Sequence, residues 1–327
     1  MAGKITPFFT SICVLKGSGL CPWLAALVLA LAGPQRVAAD DLYVGLQNSD
    51  SVVRISDQGV VSTFATGVPR PVFLIEAPNG NLLAQNESGP IYQITRSGVV
   101  SHYADAGSGP DCLAFDAQGT LYAGNKVDGT VLRQSKDGSF SVYARGFNKP
   151  MGLAFDAQGV LTVIDMNQRS MSKVAPNGVI QSTPLPIPYP IFIAYDSVGD
   201  AYIPNLASGT IVKINQAGAI STFASGLGEP ASLIFSRTGD LYVSDPPGGR
   251  VFKVTKAGVV SLLASGLNYP IGLTFLHRVP ANQLPSGAPQ IPRPAAGVIL
   301  VLLLPAILLC LGAIIWIIAG GKRRNSN

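Results

Sequence analysis

The chain has 327 residues, 47% of them hydrophobic, with a formal charge of +5 and four cysteines; it can bury a large core but has too few cysteines for a disulfide-stapled scaffold. All 18 Asp and Glu but only 16 of the 23 Lys and Arg lie between residues 40 and 279, so that block is near −2 and the tails hold the other seven cations. The basic balance belongs to the ends, and no nucleic-acid partner is expected.

Residues 1–39 read as a secretory signal: Lys4 and Lys16 precede the apolar run from Trp23 to Leu31, and Val37, Ala38 and Ala39 supply the small residues of a cleavage site. Cys13 and Cys21 would leave with it. Residues 40–279 form the main body, and residues 280–296 a proline-rich linker. The stretch 297–320 is long and apolar enough for a transmembrane helix, and the basic tail 321–327, with Lys322, Arg323 and Arg324, places its end in the cytoplasm. The body is thus expected outside the cytoplasm, at the cell envelope, held to the membrane by the C-terminal helix. Ile291-Pro292-Arg293-Pro294-Ala295 before that helix resembles an exosortase-type sorting signal, with Arg293 in place of the usual glutamate.

Within the body a proline-led unit begins at Pro71, Pro110, Pro150, Pro190, Pro230 and Pro270, in steps of 39, 40, 40, 40 and 40 residues. A glycine series from Gly59 to Gly258 keeps the same beat, which marks a repeat architecture. Each period alternates four short strand-like segments with turn signals, as in Leu161 to Ile164, Ser170 to Val174 and Val179 to Thr183 around the turn at Asn177-Gly178. The first segment of each unit, such as Leu113-Ala114-Phe115, is apolar on both faces and must be covered on both sides. Radial stacking of four-stranded sheets meets that need, so the chain is predicted to be an all-β, six-bladed β-propeller. Leu42-Tyr43-Val44 matches a second strand and Pro270 to Phe275 a first strand. The C-terminal strand should therefore complete the opening blade and close the ring.

The pattern Pro-x-Gly-Leu-Ala-Phe-Asp-x-x-Gly-x-Leu from Pro150 resembles the NHL repeat and is similar to the SMP-30/gluconolactonase-like propellers. The latter likeness implies a divalent cation, Ca²⁺ or Zn²⁺, held over the channel by Glu, Asn and Asp side chains, and lactonase-like hydrolysis. The residues just after the six prolines are Val72, Asp111, Met151, Ile191, Ala231 and Ile271, and only Asp111 fits that ligand pattern. The loops of the same face carry Asn86, Asn125, Asp165, Asn205 and Asp245. With Asp111 these are the candidate ligand-binding residues; the alternative for them is turn capping by bonds to backbone amides. A lyase of the virginiamycin type would need a channel histidine, and neither His102 nor His277 stands at the start of a first strand. No catalytic residue and no firm cofactor is assigned. The reading favours a non-catalytic binder of a protein or glycan over a metal-dependent hydrolase, with a purely structural envelope protein as a third possibility. Glu76, where other units place an aromatic residue, and the proline-rich run from Pro184 to Pro190, expected to be extended and exposed, are the departures from the repeat.

Overall fold

A computed structural model describes residues 41–107 and 109–277. The signal, linker, sorting-signal, transmembrane and tail expectations fall outside the described residues. Six four-stranded antiparallel sheets make up the body, each with its strands in sequence order from the inside outward except the first. Blades II to VI open with the innermost strands Pro71–Glu76, Pro110–Phe115, Pro150–Phe155, Ala194–Tyr195 and Leu233–Phe235. Blade I has Leu42–Leu46, Ser51–Ile55 and Val61–Thr66, and takes its innermost strand from the chain's far end: Pro270–Phe275 pairs antiparallel with Leu42–Leu46. The predicted closure is thus present, and each blade has a full set of strands.

The turns between first and second strands show why the repeat keeps its Asp and Gly. Asp156 Oδ1 accepts the amides of Gln158 and Val160 at 3.1 and 2.9 Å, fixing a turn that Gly159 completes with its left-handed backbone. The recurrent aromatic residues join blade to blade. Tyr122 of blade III meets Phe155 of blade IV edge-on at 5.1 Å, Tyr202 of blade V meets Phe235 of blade VI at 4.9 Å, and Tyr242 of blade VI meets Phe275 at 5.2 Å. Edge-to-face pairs of this kind add to the apolar area they bury.

Glu76 breaks that series because it does another job at the same seam. Its carboxylate receives Arg96 at 3.2 Å and the backbone amide of His277 at 3.0 Å, and it also contacts the His277 ring. Arg96 in turn donates to the His277 carbonyl at 2.6 Å. Blade II is thereby latched to the residue that follows the closing strand. The proline-rich run also differs from expectation, because its side chains alternate. The prolines 184, 186 and 188 face solvent while Leu185 and Ile187 are buried with Ile164, Ile193 and Ile203, between blades IV and V. Proline removes amide donors but does not stop every second side chain from filling the seam.

Candidate functional site at the channel mouth

Each innermost strand starts on the same face, and a local irregularity decides where its second residue points. In blades II, III and IV the ladder pairs Pro71 with Asn86, Pro110 with Asn125 and Pro150 with Asp165, then skips to Phe73, Cys112 and Gly152. Val72, Asp111 and Met151 are therefore the extra residues of three β-bulges, a device that re-aims a side chain. All six post-proline residues, Val72, Asp111, Met151, Ile191, Ala231 and Ile271, line one cavity of about 300 Å³ on the propeller axis.

The next position of the repeat runs Phe73, Cys112, Gly152, Phe192, Ser232, Gly272, and of these Phe192 lines the cavity. The two phenylalanines come from opposite blades, and their rings pack at 5.5 Å with a 33° tilt. Their neighbours make room. A Cβ on Gly152 would lie 2.7 Å from the Ile191 carbonyl oxygen, and one on Gly272 would lie 2.8 Å from the Leu74 amide nitrogen. Rings from opposite blades that pack together in this way meet near the propeller axis.

The charged residues of the pocket come from the rim. Asp111 is 6% exposed; its Oδ2 accepts from the Lys126 ammonium at 2.6 Å, while its Oδ1 is buried without a partner. Burial pushes the Asp111 carboxyl above the ordinary carboxylate range, and the attraction of Lys126 and Lys149 offsets this only in part. Glu87, also in the pocket, is held by Arg70 at 2.5 Å and Gln47 at 3.1 Å. Lys149 and Glu229 complete the set, and among the described residues neither has an ion-pair partner. The buried Cys112 thiol lies beneath Asp111, and burial raises its pKa, so it is no nucleophile.

Of the six residues expected to bind ligand, Asp111 alone lines the pocket, and the other five are the last residues of the second strands of their blades. Four of these hold the rim in shape. Asp165 accepts the amides of Asn148 and Lys149 as well as those of Asn167 and Gln168. Asn125 accepts from Val127 and Asp128 beside Lys126. Asn86 bonds Pro69 and Ser88 on either side of the Arg70–Glu87 pair. Asp245 accepts the Glu229 amide at 3.1 Å and the Arg250 guanidinium. Asn205 differs, with a buried Oδ1 that has no partner. Left-handed backbone at Arg70, Tyr189 and Tyr269, each just before a proline, marks strain around the same rim.

These donors do not fit a hard divalent cation, which takes six to eight oxygens. The one carboxylate among the six axial positions is already bonded to an ammonium, and its five counterparts are apolar. No three His, Cys, Asp or Glu side chains gather around a point among the described residues. His102 lies on an outer strand against Asp105, and His277 belongs to the latch at the other end of the blades.

The molecule is similar to a chain of a nidogen/laminin complex, at 15% identity over 72% of this chain and 98% of the other, with a TM-score of 0.64. Virginiamycin B lyase from Staphylococcus aureus matches at 14% identity, covering 71% of this chain and 86% of the lyase, with a TM-score of 0.53. A gluconolactonase-like protein matches at 15% over 68% and 88%, with a TM-score of 0.51. These likenesses establish the fold. No protein-family model matches the chain and no curated protein does, so the likeness to NHL repeats rests on the repeat's own residues. At such low identity the chemistry of a site has to come from the site itself.

Proposed function

We propose that this propeller is an exported, membrane-tethered binding module that holds a protein or glycan ligand at its channel mouth without catalysis. The observation that carries the reading is the Asp111–Lys126 pair in a pocket with an apolar wall, where the one carboxylate among the six axial positions is bonded to an ammonium. A pocket with an apolar wall and a few convergent polar groups suits recognition. The secretory features of residues 1–39 and the apolar stretch 297–320 support its place at the envelope.

The test compares the wild-type chain with Met151→Trp, which fills the pocket from a partly exposed position, on one glycan array and one random-peptide array. Binding by the wild type and its loss in the variant are expected, together with no turnover of a simple lactone in Ca²⁺ or Zn²⁺. Metal-dependent turnover abolished by Asp111→Ala would overturn the reading in favour of a hydrolase.

A further inference from the structure

We infer that the pocket takes a carboxylic acid with an apolar side chain and a hydrogen-bond donor on its α-carbon. This chemistry is shared by the last residue of a peptide and by a free α-hydroxy acid. The inference rests on the binding reading above and narrows its ligand. Three features of the pocket select these three groups.

The first is charge. Two ammonium groups, Lys126 and Lys149, act on the single carboxylate of Asp111, and Lys149 has no ion-pair partner of its own among the described residues. Glu87 does not balance them, because Arg70 already occupies it. Lys149 and Glu229 are thus the two lining charges left without an ion-pair partner among the described residues; they enter two blades apart, ahead of Pro150 and Pro230, and a ligand carboxylate would pair with Lys149. The second is the Asp111 Oδ1 atom, buried and unpartnered beside those ammoniums. Asp111 lines the pocket, and a donor one bond away from a docked carboxylate would supply the partner this acceptor lacks once the carboxyl turns towards it. The third is the remaining wall of Met151, Ile191, Phe192 and Ile271, which offers contact to an aliphatic side chain and few partners for a sugar's ring hydroxyls. Of the two ligand classes proposed above, this favours the peptide over the glycan.

The experiment is calorimetric titration of the full-length protein with N-acetyl-leucine, which mimics a peptide terminus, and with 2-hydroxy-4-methylpentanoate, the free hydroxy acid. Controls are N-acetyl-leucinamide without the carboxylate, 4-methylpentanoate without the donor, and glucuronate. One-to-one binding of an acid probe is expected, with each control weaker by at least about tenfold, the factor worth one charge-assisted hydrogen bond. Tighter binding of N-acetyl-leucine identifies a peptide terminus as the source, and tighter binding of the hydroxy acid a free metabolite. Lys149→Met should weaken the acid by a similar factor and Lys149→Arg should keep it. Asp111→Asn should erase the preference for the hydroxy acid over 4-methylpentanoate. Equal affinity for the amide, preference for glucuronate, or no binding of either acid would overturn the inference. If array ligands are still lost in Met151→Trp, such a result leaves the channel-mouth reading standing. Acid binding unchanged by Met151→Trp would bring down both.

Discussion

Asp111 illustrates how a single residue can serve a site at the expense of the fold. Its carboxyl is held above the ordinary range by burial, so the folded chain binds a proton there more tightly than the unfolded chain does. This group favours the fold at low pH, and its contribution falls as pH rises from the ordinary carboxylate value through the folded one. Asp111→Asn removes the penalty, and Lys126, still partly exposed, can turn to water. We expect the variant's Tm at pH 7 to exceed the wild type's by about 2–4 °C, on the order of 1 kcal/mol, with the gap closing towards pH 4 in a calorimetric scan. A Tm lower than wild type at neutral pH would show that the Lys126 pair outweighs desolvation. The sequence made Asp111 legible, because it alone breaks an apolar series at one repeat position. It did not reveal Lys126 and Lys149 as its partners, since their place follows from bulges and loop bonds that leave no periodic mark. The axial Phe73–Phe192 stack did leave one, the recurrence of Phe, a small residue and Gly at the next position. Reading it requires setting opposite blades face to face.

At the scale of elements, two segments that looked irregular turn out to join blades. Ile187 is 2% exposed in the seam between blades IV and V. Ile187→Ala should cost about 2–5 kcal/mol in urea unfolding, as for other buried aliphatic truncations, whereas Pro186→Ala on the exposed side should cost little. The proline run departs from the sequence expectation because missing amide donors point to an exposed rim, whereas burial depends on side-chain alternation. The latch of Glu76, Arg96 and His277 was hidden for a different reason. Its members are up to 201 residues apart and meet only when the ring is closed. Glu76→Ala leaves the His277 amide without its acceptor and Arg96 with the His277 carbonyl alone, and a loss of about 1–3 kcal/mol is expected, in line with charge-assisted bonds. Unchanged urea midpoints would mean that the latch forms without contributing.

The whole molecule was the most legible level. A repeat of nearly constant length fixes the number of blades, and a chain that starts on a second strand and ends on a first strand has one way to satisfy both edges. The strand Pro270–Phe275 gives Leu273 and Phe275 to the core around Leu42, Val44 and Val53, besides its ladder to blade I. A chain ending at Tyr269 should therefore lose its single cooperative unfolding transition, and retention of that transition at the wild-type temperature would refute closure as the source of ring stability. Closure also delivers Tyr269 and Ile271 to the pocket, so ring and site are completed by the same strand.

We propose that the Asp111–Lys126 pair occupies the channel mouth where a cation would otherwise sit, and calorimetric titration of Ca²⁺ and Zn²⁺ into the wild type and Asp111→Ala tests this most directly. We predict no binding heat in the wild type that the substitution removes. A stoichiometric cation site present in the wild type and lost in Asp111→Ala would contradict the account.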